Sequence, residues 1–186
     1  MRRASFAIVL VFLFFLTGSV FSQSKLVKSV GIGAGISLPQ GGWDAGNTIL
    51  LQANFGEVID YLFLFPYLNY AQASKTETLE EFSKDVAIQY IGGGAKLVGY
   101  INSKPRGFYF GGSLGYYYIA SETFDPEHIN EYSEIEKNKT TKLGFSALSG
   151  YLFTLKKVSI FVEADYIFMH DGFNNLQFFA GLNYIL

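Results

Sequence analysis

After the first two dozen residues the chain alternates apolar with small or polar positions at a period of two, the signature of strands with one face in an apolar setting. Over 27–38, Val30, Ile32, Ala34, Ile36 and Leu38 alternate with Ser29, Gly31, Gly33, Gly35 and Ser37. Over 47–56, Ile49, Leu51, Ala53 and Phe55 stand against Thr48, Gln52 and Asn54. In 61–73 Phe and Leu occupy both faces. Asn69 assigns the polar face there, so Leu62, Leu64, Leu68 and Tyr70 take the apolar one. Pro66 has no amide proton and implies a bulge or local break in the ladder. In 86–100 Lys96 shares a face with Gly92 and Gly94, opposite Ile91, Ala95 and Leu97. In 108–121 Phe108, Phe110, Leu114, Tyr116 and Tyr118 oppose Tyr109, Gly111, Ser113 and Gly115. In 141–153 Leu143, Phe145, Ala147 and Tyr151 oppose Lys142, Gly144, Ser146 and Gly150, and in 158–169 Ile160, Val162, Ala164, Tyr166 and Phe168 oppose Ser159, Glu163 and Asp165.

The eighth segment is the ending, 179–186. Phe178, Ala180, Leu182, Tyr184 and Leu186 lie on one face and Phe179, Gly181, Asn183 and Ile185 on the other. It stops on an apolar residue in mid-pattern. An open apolar edge strand invites aggregation, whereas a closed barrel has no edge because its last strand pairs with its first. The expected fold is therefore all-β: an eight-stranded antiparallel up-and-down transmembrane β-barrel, apolar face outward. Segments of about a dozen residues suit tilted strands that cross a bilayer. The connections 57–60, 101–106 and 154–157 are short, while 39–46, 74–85 and 122–140 are longer, with 170–175 the short exception. Short periplasmic turns and long outer loops are the habit of such barrels.

The beginning agrees. Met1-Arg2-Arg3 is basic, 6–16 is almost wholly apolar, and Val20-Phe21-Ser22 places small residues before Gln23. This predicts a secretory signal peptide over 1–22, cleaved before Gln23, and a barrel domain over 23–186. An uncleaved N-terminal anchor is the alternative.

Composition narrows the class. Aromatics make up 18% and charged residues only 16%, against about a quarter charged in soluble domains. Formal charge is −2, and −4 once Arg2 and Arg3 leave with the signal. Such a chain has no basic patch to neutralise phosphates, so nucleic acid is not its partner. Without cysteine there is neither a disulfide framework nor a lipoprotein acylation site.

Candidate chemistry is sparse. Glu163 and Asp165 share the inner face, which suggests a lumen charge network in which they meet Lys96 and Lys142 or each other through water. The competing reading is a carboxylate pair for catalysis or cation selection. Gly31, Gly33 and Gly35, and the run Gly92-Gly93-Gly94-Ala95-Lys96, lack the spacing and following helix of nucleotide loops. They are expected to make room for large inner side chains such as Tyr109, Tyr117 or Phe161. Asp125, Glu127, His128 and Glu131 share the longest loop and read as a solvated acidic segment rather than a metal site; His170 is the other histidine. No serine has a base and acid fixed beside it. Catalytic, cofactor-binding and metal residues are accordingly none. Trp43, Tyr70, Tyr90, Tyr116, Tyr118 and Phe168 are expected in one aromatic girdle, and Tyr61, Tyr100, Phe108, Tyr151 and Phe153 in the other.

With 107–116 (Gly-Phe-Tyr-Phe-Gly-Gly-Ser-Leu-Gly-Tyr) and 161–166 (Phe-Val-Glu-Ala-Asp-Tyr) added, the chain resembles the small outer-membrane β-barrel superfamily, the eight-stranded OmpA/OmpX type, without a wall-binding domain. Gly181, Tyr184 and Leu186 also resemble the C-terminal signal read by the outer-membrane insertion machinery, with Leu186 where an aromatic is usual. The resemblance implies a bacterial outer-membrane location, with lipid and the insertion machinery as partners and no cofactor. It implies a non-enzymatic structural or surface-interaction role through the acid-rich loops 77–85 and 122–139, toward an extracellular ligand of unknown identity. The alternatives are a narrow pore or carrier for small or apolar solutes, and an outer-membrane acyltransferase or protease. Phe63, Phe65, Tyr67, Tyr109 and Phe161 are expected to fill the lumen and leave no continuous channel.

Overall fold

The structure, a computed structural model, describes residues 26–79, 82–102, 105–124, 136–169 and 173–186. The expectations for the signal (1–22) and for Asp125, Glu127, His128, Glu131 and His170 fall outside these residues. Nine strand segments follow one another: β1 (Ser29–Pro39), β2 (Gly46–Asn54), β3 (Glu57–Ile59), β4 (Leu62–Leu79), β5 (Phe82–Tyr100), β6 (Gly107–Phe124), β7 (Glu136–Leu155), β8 (Val158–Met169) and β9 (Asn175–Ile185). Each pairs antiparallel with its neighbour, and β9 returns to pair with β1.

β2 and β3 are one strand interrupted by a bulge, so the barrel has eight strands. Phe55 N donates to Leu64 O (2.9 Å) and Leu64 N donates to Gly56 O (3.0 Å), which sets two residues against one. Gly56 supplies the left-handed backbone at that point, with φ 88°. This refines the expectation at Pro66. The β4–β5 ladder runs through Pro66↔Ala95 without a break. On the other side the β2–β4 pairing reaches only Gln52↔Tyr67, and the bulge lies three residues further on. Pro66 disturbs the edge that its missing N–H would face, and spares the other.

The register sets the tilt. Pro39, Asn175, Ile167, Ser146, Ser113, Lys96 and Phe65 are successive partners around the wall. The β2–β4 register, carried two residues past its last pair Gln52↔Tyr67, sets Asn54 level with Phe65, and Asn54 pairs with Ser29, ten residues along β1 from Pro39. Such a stagger inclines the strands by about 35–45° to the barrel axis.

Apolar residues of alternating positions cover the outside: Ile32, Leu51, Leu68, Ile91, Leu114, Phe145, Val162 and Leu182 are all exposed. Tyr116, Tyr118 and Phe168 lie toward one rim, where Phe168 stacks on Phe145 at 5.0 Å. Phe108 and Tyr151 meet edge-on at 4.8 Å toward the other rim, near Tyr61 and Phe153. Three residues expected in these girdles do not belong there. Tyr90 and Tyr100 are buried in the lumen. Both share parity with Lys96, and the pleat sends every second residue of a strand to the same face. Trp43 is half-buried against the inner apolar cluster rather than in a girdle.

The barrel is unequal in height. β1, β8 and β9 have 11 or 12 residues, whereas β4, β5, β6 and β7 have 18 to 20. The expected long loop over 74–85 is strand throughout its described residues, and that over 122–140 is strand at both ends: β4 continues to Leu79, β5 begins at Phe82, β6 ends at Phe124 and β7 begins at Glu136. At the other rim, here the turn end, the connections are tight, as at Lys156-Lys157. The surplus of about eight residues per long strand, roughly 25 Å of chain, therefore projects at the hairpin end.

Candidate functional site

Two regions hold the chemistry: the lumen and the projecting half-wall. Room in the lumen comes from glycine. A methyl group on Gly33 would meet the Phe161 ring at 2.8 Å, and one on Gly144 would meet Tyr117 at 2.7 Å. Gly181 faces Phe161, Gly92 faces Tyr117 and Gly150 faces Tyr109 in the same way. Of the glycines expected to make this room, Gly33 and Gly92 do so for Phe161 and Tyr117, while Tyr109 uses the space at Gly150, Gly31 meets Asn183 and Gly93 faces outward against Leu68. Toward the turn end Phe63, Phe65, Tyr67, Tyr100, Tyr109, Leu152 and Phe161 form one buried cluster. Toward the hairpin end Ile88, Tyr90, Tyr117, Ile119, Ile167 and Met169 form a second, against which Trp43 and Phe173 pack.

Lys96 of β5 and Glu163 of β8 form an ion pair between the clusters, with side chains 1% and 2% exposed. Tyr109 donates to the second oxygen of Glu163 at 3.0 Å. The Lys96 ammonium also lies 5.4 Å from the Tyr67 ring centre. Two of the four expected members of the charge network thus meet. Asp165 is buried beside them on β8, and its Oδ1 has no hydrogen-bond partner among the described residues. Lys142 lies elsewhere. It is level with Tyr117 on β7, whereas Glu163 is level with Gly150, and its ammonium sits 5.8 Å from the Phe173 ring. Strand stagger separates residues that face counting alone groups together.

A second polar layer was missed. Tyr90 donates to Ser37 (2.6 Å), Ser37 to Asn175 Oδ1 (3.1 Å), Gln177 to Tyr90 (3.0 Å) and Asn69 to Gln177 (3.2 Å) and Thr48 (3.1 Å). Every member is a polar residue at an inward position of its strand, and that alternation is the signal that marks them. Tyr67 and Tyr117 hydroxyls meet at 2.8 Å, and Ser113 and Ser146 at 2.7 Å. The cavity left beside Lys96 and Glu163, lined also by Gln52, Phe65, Phe161 and Asn183, measures about 10 Å³, space for about one water. The lumen is packed rather than open at this level, and no group of three or more metal-ligating side chains occurs among the described residues.

The three residues of the ending divide between the two faces of the wall. Gly181 opposes Gly33 across the closing ladder. Tyr184 and Leu186 point outward, both half exposed, and Leu186 N donates to Lys28 O at 2.9 Å.

No family model matches the chain, and no curated protein matches it in sequence. Its likeness is to solved structures. Ail, the attachment invasion locus protein of Yersinia pestis, is similar at a TM-score of 0.60 and 16% identity, over 88% of this chain and 100% of that one. The same protein in complex with the heparin analogue sucrose octasulfate is similar at 0.55 and 15%, over 86% and 98%. Neisserial surface protein A is similar at 0.58 and 14%, over 85% and 96%. At such identities the likeness concerns architecture: the chain has the fold of the small eight-stranded outer-membrane barrels.

Proposed function

We propose that this chain is a bacterial outer-membrane protein without enzymatic activity that presents the hairpins β4–β5 and β6–β7 to partners outside the cell. The projecting half-wall carries this reading. Crossing a bilayer takes about 9–11 tilted residues, and β4 to β7 have 18 to 20. A barrel that served only as a membrane staple has no use for that surplus. The packed lumen disfavours the pore alternative, and the absence of a nucleophile beside a base in the described lumen disfavours the acyltransferase or protease one. The segment 1–22 directs secretion in this reading, and Gly181, Tyr184 and Leu186 serve the insertion machinery. One similar protein was solved with a sulfated heparin analogue. Here the hairpin stretches 77–85 and 122–139 are rich in acids, so a neutral or basic ligand suits them better than a polyanion.

Two measurements test the reading. The refolded protein in a planar bilayer is expected to show no discrete single-channel steps; regular steps return the pore alternative. Because the chain has no cysteine, single cysteines report sidedness cleanly. Lys139→Cys, near the hairpin end, is expected to react with a membrane-impermeant maleimide on intact cells. Lys156→Cys, at the turn end, is expected to react only after the outer membrane is opened. The reverse pattern overturns the orientation.

A further inference from the structure

On the outer wall, three amide side chains stand in one row on three adjacent strands. Asn47 of β2 pairs with Gln72 of β4, and Gln72 pairs with Gln89 of β5. All three are exposed. Above this row β2 ends at Gly46 while β4 and β5 continue, and the step leaves a groove of about 230 Å³. The three amides line it with Ser74, and the rest of its lining is small or apolar: Ala45, Gly46, Ala73, Ala87 and Ile88. The volume is more than twenty times that of the single-water cavity beside Lys96, enough for one sugar ring. Tyr70 donates to Gln72 Oε1 at 3.1 Å, which orients that amide and leaves its NH₂ for a ligand.

Among the described residues no charged side chain lines the groove. Amides and a hydroxyl offer donors and acceptors together, the complement of a sugar's hydroxyls. A phosphate, all acceptors and negative charge, finds no cation among the lining residues. One strand repeat below, the surface turns apolar: Ile49, Tyr70 and Ile91 are successive partners, followed by Leu51, Leu68 and Gly93. Gly93 lies between Leu68 and Tyr116 on the neighbouring strands, both exposed, and the Leu68 side chain leans over it, so the wall below the amide row is continuously apolar. Head and tail of one amphipathic molecule fit this sequence of surfaces.

We propose that the groove above Asn47, Gln72 and Gln89 binds the uncharged sugar headgroup of a membrane glycolipid, whose acyl chain lies along the apolar wall of Ile49, Leu51, Leu68 and Ile91 below it. The inference rests on the outer-membrane placement proposed above. The test uses the full barrel, ¹⁵N-labelled and refolded into phosphatidylcholine bilayer discs, titrated with dodecyl maltoside, with maltose and with dodecylphosphocholine. Folding is checked first by heat-modifiable gel migration. Saturable shifts of the side-chain amide signals of Gln72 and Gln89 with dodecyl maltoside are expected, with at least tenfold weaker responses to maltose and dodecylphosphocholine. Gln72→Leu/Gln89→Leu is expected to fold and to lose the backbone shifts at Asn47 and Ser74. Equal response to dodecylphosphocholine overturns the sugar; equal response to maltose overturns the membrane source. A barrel that inserts and shows no amide shifts overturns this inference alone. A chain that refuses to insert overturns the placement as well.

Discussion

Gly33 and Gly181 face each other across the ladder that closes the barrel, and the Phe161 ring from β8 fills the space that both leave. A methyl group on Gly33 must displace that ring. Overpacking of this kind costs about 1–3 kcal/mol. Gly33→Ala is therefore expected to destabilise the barrel by about that amount, and Phe161→Leu in the same chain to recover part of it. Urea unfolding in lipid vesicles measures both; additive losses would show that the ring and the glycine do not share the space.

The buried pair makes a sharper prediction. Lys96→Met leaves the Glu163 carboxylate without its counter-ion, and Glu163→Gln leaves the ammonium. Removing one partner of a buried pair costs about 3–5 kcal/mol. The double variant, which buries neither charge, is expected to be more stable than either single one. A double-mutant cycle by equilibrium unfolding checks this, and a double variant weaker than both singles would contradict it.

Neighbouring residues of β6 face opposite media. Leu114 is exposed on the outer wall and Ser113 is buried inside. Leu114→Arg sets a charge among acyl chains and is expected to cost about 2–4 kcal/mol in bilayers. In a detergent with short chains, where the cation reaches water, the loss is expected to shrink. Ser113→Arg meets the Ser146 and Tyr67 side chains and is expected to be equally harmful in both media. The comparison of media separates lipid exposure from crowding.

Deleting 184–186 removes the Tyr184↔Val30 and Tyr184↔Val158 pairs and the Leu186–Lys28 hydrogen bond. The freed backbone groups have no water to turn to in lipid. The truncated chain is expected to fail to assemble in cells, and Leu186→Phe to assemble at least as well as the parent. Heat-modifiable migration of outer-membrane fractions is the readout.

Much of this architecture is readable from alternation alone, because inner and outer faces differ so strongly in polarity. The inner set of β6 and β8 follows directly, as do the glycines beneath Tyr117 and Phe161. Errors arose where alternation was not carried through. Once Lys96 is placed inside, Tyr90 and Tyr100 must follow it, yet aromatic character near a strand end pointed to the girdle. Lys142 shows a different limit: parity gives the face of a residue, while its height depends on the stagger of every ladder between it and its supposed partner. The strand extensions escaped because their polar residues read as loop. A strand that leaves the membrane loses its apolar face and with it the pattern that reveals it. The amide row of Asn47, Gln72 and Gln89 was invisible for the same reason, since it forms only when three strands align.

The ladder between β1 and β9 joins Ser29 to Ile185, whereas every other ladder joins neighbours in the chain. Seven seams can therefore zip as local hairpins, each closing a short loop, and one must wait for the two ends of the barrel to find each other. The cost of closing a loop grows only slowly with its length, but contacts this distant in sequence are slow to form. The final seam should set the tempo of assembly. Until it closes, β1 and β9 are both open edges, and the molecule in that interval is a curled sheet able to join another strand as readily as its own.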